Sequence, residues 1–189
     1  MSKPKLIAEH YVQLDKLRSP ANILDLGCRG FEFTNYFDQR GDYVLPVDMD
    51  DRLLKDRKYL TLAISDYNGV TGIRRTNDPQ ATSMKIDTHG EVVNVATLEA
   101  LSAEVKVPYW DLIKIDVEGS EYQIIMSLKE ALAQQISVEF HLHTGIYTQY
   151  HVDQMVNKLL SLGYKIVVHE LTNQHGAGFN YWSSLFIRE

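Results

Sequence analysis

Apolar positions along the chain fall into short runs that each stop at a polar residue, separated by stretches with helical spacing. Leu6, Tyr11, Leu14 and Leu17 recur at roughly helical intervals and predict a first helix from Pro4 to Arg18, closed by Ser19 and Pro20. Asn22 to Gly27 predicts a buried parallel strand that ends in a tight turn. Phe33 to Arg40 predicts a helix stopped by Gly41, and Tyr43 to Val47 a second strand with Asp48 at its end. Tyr59 to Ile64 predicts a third strand, ending in Ser65 and Asp66. The Gly-, Thr- and Asn-rich stretch from Asn68 to Glu91 reads as a loop or small hairpin. Val92 to Val95 reads as a short strand and Thr97 to Val105 as a helix. Trp110 to Ile115 and Ile136 to Leu142 predict strands; Glu121 to Leu132 and Val152 to Leu162 predict helices. Tyr164 to His169 and Tyr181 to Ile187 close the pattern with no helix between them, so the last strand is expected to be antiparallel. The whole is an α/β pattern: a seven-stranded, mostly parallel sheet with helices on both faces, in a single domain over residues 1–189.

Composition removes several alternatives. The chain has 189 residues, with 19 Lys and Arg against 25 Asp and Glu, a formal net charge of −6. An acidic chain with no basic cluster longer than Arg74 and Arg75 is expected to bind no nucleic acid, which requires a basic stripe against phosphates. No run approaches the ~20 apolar residues of a membrane span, and Glu9, His10 and Asp15 interrupt any apolar leader. A cytoplasmic protein is expected. The single Cys28 excludes an internal disulfide and a Cys-rich zinc site.

In open α/β sheets, ligands bind beyond the carboxyl ends of the strands. The predicted strands end in Asp25, Asp48, Ser65 with Asp66, Asp116, and His141 with His143. Any one of these could be a helix N-cap; together they mark a site. Gly27 and Gly30 permit close backbone approach to a ligand, yet no Gly-x-Gly-x-x-Gly fingerprint and no P-loop is present. Asp48, after the second strand, suits a ribose diol. The central segment delivers Asp116 and Glu118 two residues apart on one face; Gly119 breaks the strand, Ser120 can cap the next helix, and Glu121 suits its positive first turn.

The segment Lys114 to Glu121 closely resembles the signature of the FkbM-type methyltransferases, S-adenosylmethionine-dependent O-methyltransferases of the Rossmann-like class I. The resemblance runs from about Ile23 to Phe140. Asp25 to Gly27 with Thr34 is similar to the family's first motif, Pro46 to Asp48 to its second, and Ala63 to Asp66 with Gly69 to its third. Val95 to Leu98 and Val138 to His141 resemble the segments before the central strand and at the end of the fifth. Two positions depart: family members usually carry Gly at Phe31, and a small residue or Asn at Arg29. The resemblance implies that Asp25, Gly27, Cys28, Arg29 and Gly30 line the methionine moiety. It places Asp48 on the ribose, Met49 on the adenine ring, Ser65 and Asp66 at the adenine edge, and Asp116 near the sulfonium and the acceptor oxygen.

A hydroxyl is a poor nucleophile, so O-methyl transfer needs a base or a metal. The candidate bases are Asp116, Glu118, Glu139, His141 and His143; the catalytic set is expected to be Asp116, Glu118 and His141, a histidine titrating near neutrality. A divalent metal could be held by Asp116, Glu139 and His141. The spacing does not demand one, and the metal-free route is expected because Lys114 and the sulfonium offset local negative charge. A small-molecule or glycan hydroxyl, foremost that of a sugar, is the expected acceptor, facing Tyr147, Tyr150 and residues 66–90 and 173–179. A nicotinamide-dependent reductase is the rival enzyme, weakened by the absence of any Tyr-x-x-x-Lys pair; a non-catalytic cofactor-binding module is the rival of another class.

Overall fold

The computed structural model describes residues 2–50, 52–53, 58–74, 85–86, 90–174 and 179–189. The elements in chain order are β1 (Lys5–Ile7), β2 (His10–Val12), β3 (Asn22–Leu26), α1 (Glu32–Arg40), β4 (Tyr43–Asp48), β5 (Leu60–Thr61) and β6 (Ala63–Ile64). They continue with β7 (Gly69–Arg74), β8 (Lys85–Ile86), β9 (Glu91–Ala96), α2 (Leu98–Glu104), β10 (Trp110–Ile115) and α3 (Glu121–Ser127). The chain closes with β11 (Ala133–His141), α4 (Gln149–Ser161), β12 (Tyr164–Gln174) and β13 (Phe179–Arg188).

Seven strands form the main sheet in the order β12-β13-β11-β10-β3-β4-β5. Every neighbouring pair is parallel except those of β13, which runs antiparallel to both β11 and β12. This is the expected α/β arrangement, and it brings the carboxyl ends of β3, β4, β10 and β11 to one edge. The central strands are apolar on both faces because both faces are covered: Ile23, Leu24, Leu26, Leu112, Ile113 and Ile115 are all fully buried. Trp110 anchors the start of β10, its indole N–H donating to Ser102 Oγ at 2.9 Å.

The predicted first helix is instead a hairpin. β1 and β2 pair antiparallel around Ala8 and Glu9, which take φ of 44° and 67°. That is the left-handed pair a two-residue hairpin turn needs, here without Gly or Asn. The apolar spacing misled because Leu6 faces solvent while Ile7 and Val12 enter the core. The hairpin is tied to the sheet by a reciprocal buried pair: Gln13 N donates to Gln135 Oε1 at 3.0 Å and Gln135 Nε2 to Gln13 O at 2.9 Å.

Two further differences bear on the site. The Tyr59–Ile64 run divides: β5 joins β4, while β6 starts a second sheet in the order β6-β9-β7-β8. Within the stretch read as a loop or small hairpin, the described β7 and β8 pair antiparallel, and β7 pairs antiparallel with β9. The third helix ends at Ser127, short of Leu132, because Leu128 already has extended backbone, φ −55° and ψ 125°. Among the described residues no helix is long and apolar enough to cross a membrane.

Candidate active site

The site grows from two neighbouring strands. In the β3–β10 register Asp25 stands opposite Lys114. The Lys114 ammonium lies 3.1 Å from Asp25 Oδ1 and 3.3 Å from Asp116 Oδ2, and donates to the Gly27 carbonyl at 2.6 Å. Thr34 Oγ1 also donates to Asp25. Burial opposes a charge on Lys114, but the carboxylates of Asp25 and Asp116 outweigh it and hold its pKa above the ordinary lysine range. Asp25 is fully buried; it braces the turn after β3.

Beside this brace a cleft of about 200 Å³ opens at the strand ends. Gly27, Arg29, Asp48, Met49, Asp116 and Glu118 line it, backed by apolar Val47, Leu62 and Ile64. Burial pushes the Asp48 carboxyl up to about 6, although the Asp50 N–H donates to its Oδ1 at 2.8 Å. Met49 also packs on Ala63, Ile73, Val93 and Val95.

The expected cofactor residues therefore divide. Gly27, Arg29, Asp48, Met49 and Asp116 meet at the cleft, whereas Asp25, Cys28, Gly30, Ser65 and Asp66 do not line it. Cys28 is buried, and burial pushes its thiol pKa up. Ser65 and exposed Asp66 follow Ile64 and bond to each other at 3.1 Å. Phe31, where relatives usually carry Gly, takes φ 59° and is buried against the Tyr59 ring; a left-handed position is where Gly is free of strain.

Beside Asp116 and Glu118, β11 ends in the buried His141. Its Nε2 lies 3.4 Å from Asp116 Oδ1, 3.4 Å from Glu139 Oε2 and 3.9 Å from Glu118 Oε1. Its Nδ1 lies 2.7 Å from Glu121 Oε1. Glu121 is fully buried, its Oε2 accepting from the Tyr147 hydroxyl at 2.6 Å and the Gly119 N–H at 2.9 Å. The expectation that Tyr147 faces an acceptor is thus corrected: it is buried and its hydroxyl braces Glu121. Tyr150 is exposed.

Burial opposes a proton on His141, but Glu121, Glu139 and Asp116 outweigh it and raise its pKa well above the usual histidine value. Burial likewise opposes charge on Asp116, yet Lys114, His10 and His141 hold its carboxyl well below the usual range. Glu118 is raised, chiefly by burial. His143 approaches Glu118 Oε2 at 3.5 Å.

His10 escaped the sequence reading. It is buried on β2, with Nε2 3.5 Å from Asp116 Oδ2 and 3.9 Å from Glu139 Oε1, and Nδ1 3.3 Å from Ser137 Oγ. A strand-period reading of His10 to Val12 would have put His10 and Val12 on the inner face. Among the described residues two triads have ligand-type atoms within 4.8 Å of one another: His10, Asp116 and Glu139; and Asp116, Glu118 and His141. Of the other expected acceptor-facing segments, residues 75–84, 87–89 and 175–178 lie outside the described residues, and with them Arg75, His175 and the 176–178 stretch.

A parallel sheet closed by one antiparallel strand, with its site at the carboxyl edge, is the Rossmann-like architecture of methyltransferases. The FkbM methyltransferase domain matches residues 28–166, and the chain belongs to that family. It is thus a methyltransferase domain, and the reductase reading falls away. No curated protein matches the chain. It is similar in shape to magnesium protoporphyrin IX methyltransferase (ChlM) from Synechocystis PCC 6803 with bound SAM, at 12% identity over 89% of this chain and 70% of that one, TM-score 0.47. Precorrin-6y C5,15-methyltransferase from Geobacter metallireducens GS-15 gives 13% identity over 93% and 85%, TM-score 0.47. A SAM-dependent methyltransferase from Methanosarcina mazei gives 12% over 93% and 95%, TM-score 0.48.

Proposed function

We propose that the chain transfers the methyl group of S-adenosylmethionine to a hydroxyl oxygen of a small molecule or glycan, with a sugar hydroxyl as the leading acceptor. The observation that carries this reading is one cleft joining Asp48, at the end of β4, to Asp116 and Glu118, beyond the end of β10. The residues fit the donor. The Asp50 N–H occupies one oxygen of Asp48, and the carboxylate has a second for a ribose hydroxyl. Met49 and the apolar wall suit an adenine ring. Gly27, whose carbonyl is fixed by Lys114, brings bare backbone to the methionine end.

When bound, S-adenosylmethionine supplies an electrophilic methyl group on a sulfonium whose charge disappears on transfer. Asp116 and Glu118 place carboxylates beside that charge, and they are the more exposed acids of the centre, with side chains 28% and 38% accessible. An acceptor entering the cleft meets these two groups, with the buried His141 behind them. The protein's task is to hold oxygen and methyl carbon about 3 Å apart and in line. The test is calorimetric titration with S-adenosylhomocysteine, followed by labelled methyl transfer to a panel of sugars and other alcohols. Saturable binding with label in an ether product is expected. Absence of binding by the folded chain overturns the reading, and label found only on nitrogen or carbon overturns its O-methyl part.

A further inference from the structure

We propose that the mouth of this site binds one hard divalent cation, Mg²⁺ or Mn²⁺, between Asp116 Oδ1, Glu118 and His141 Nε2, with Glu139 beside them. The inference deepens the methyl-transfer reading and rests on it for the role of the ion.

Geometry is the first argument. Three carboxylates converge on one ring nitrogen at 3.4, 3.4 and 3.9 Å. These separations exceed an ordinary N–H···O hydrogen bond of about 2.7–3.2 Å. Ligand atoms that each stand about 2.1 Å from a common ion are themselves roughly 3 Å apart. A small inward movement therefore turns this set into a coordination shell.

The surroundings of His141 supply the second argument. Its Nδ1 is fixed by Glu121, which Tyr147 and the Gly119 N–H hold in turn. A ring anchored through one nitrogen on a carboxylate presents the other to a metal, with its tautomer and orientation set. His141 is almost fully buried, so this aim is rigid.

The third argument is a buried charge. Glu139 is only 5% exposed; its Oε2 faces the His141 ring at 3.4 Å, and its Oε1 faces His10 at 3.9 Å. A buried carboxylate is costly unless its charge is paired, and a cation on the His141 side would offset the charge that Oε2 brings there.

Charge decides the side of Asp116 on which the ion sits. Lys114 does offset local negative charge, as a metal-free site requires, but it lies on the Oδ2 side, shared with Asp25. His10 also approaches Oδ2. An ion in the His10 triad would face the lysine ammonium. On the Oδ1 side Glu118, Glu121 and Glu139 surround the His141 imidazole, and His143 lies 3.5 Å from the other Glu118 oxygen. A donor set of carboxylates and one imidazole, with no thiolate, suits Mg²⁺ or Mn²⁺. Bound there, the ion would take the acceptor's hydroxyl oxygen as a ligand and lower its pKa. The hydroxyl proton then leaves to water, the oxygen forms its bond to the methyl carbon, and the broken C–S pair stays on sulfur.

The test uses the full chain without methyl donor. Mn²⁺ is titrated by calorimetry and by the paramagnetic resonance signal of the free ion, with Mg²⁺ as competitor. Saturable binding of one Mn²⁺ per chain is expected, weakened at least about tenfold in Glu118→Gln and in Asp116→Asn. No saturable binding up to millimolar Mn²⁺, or unchanged binding in both folded variants, overturns the proposal. A parallel S-adenosylhomocysteine titration in chelator separates the two readings: homocysteine-nucleoside binding without Mn²⁺ binding removes only the ion, and Mn²⁺ binding without it removes only the donor assignment.

Discussion

Gly27 backs directly onto the main chain of Asp116: a Cβ built at Gly27 would stand 1.7 Å from the Asp116 carbonyl oxygen. Its φ of 77° is also left-handed. The close approach lets the β3 turn and the end of β10 share one cleft. Gly27→Ala is expected to lose stability by about 2–4 kcal/mol, from backbone strain and forced separation of the two strand ends. Urea denaturation checks this, and a midpoint equal to wild type would contradict it.

Asp48→Ala removes the acceptor assigned to the ribose. A hydrogen bond to a charged group contributes about 1.5–3 kcal/mol, so donor affinity should fall roughly ten- to a hundredfold. Calorimetry with S-adenosylhomocysteine reads this directly; unchanged affinity in a folded variant would remove Asp48 from the donor site.

The same residue gives a pH dependence. Burial raises the Asp48 carboxyl to about 6, so it is neutral below that pH and a stronger acceptor above it. Donor affinity should rise as pH increases through about 6 and level off beyond, and Asp48→Asn should flatten this rise. A wild-type affinity that is constant from mildly acidic to mildly alkaline pH would be the contrary result.

His10 touches Asp116 from outside the family-matched segment. Its loss should loosen Asp116 without touching the donor's ribose. His10→Phe is expected to lower the turnover number about tenfold at nearly constant donor affinity. His10→Gln, which can still donate to the carboxylate, should recover part of it. Equal loss of turnover in both variants would point to a packing role alone.

The strands that carry the site were legible because burial on both faces writes them as continuous apolar runs. Trp110 to Ile115 and Tyr43 to Asp48 were found within a residue of their ends, and with them Asp48 and Asp116. The N-terminal hairpin was hidden because its turn uses Ala8 and Glu9, residues that carry no left-handed preference. His10 was hidden with it. Glu121 was read as the acid of a helix's first turn, which it is. Its burial beneath Tyr147 and against His141 is a tertiary event that helix chemistry does not announce. Asp25 shows the same limit: position gave a strand-end acid, and only the β3–β10 register shows that Lys114 claims it.

β13 follows β12 in sequence, yet it sits between β11 and β12. During synthesis β11, which carries Glu139 and His141, therefore keeps one ladder of backbone donors and acceptors unpaired until residues 179–188 emerge. Hydrogen bonding across the β10–β11 side alone leaves a raw edge, open to pairing with another nascent chain. The ten-residue β13 thus doubles as a lock: Glu139 and His141 on β11 gain their second pairing neighbour only once residues 179–188 have docked beside them.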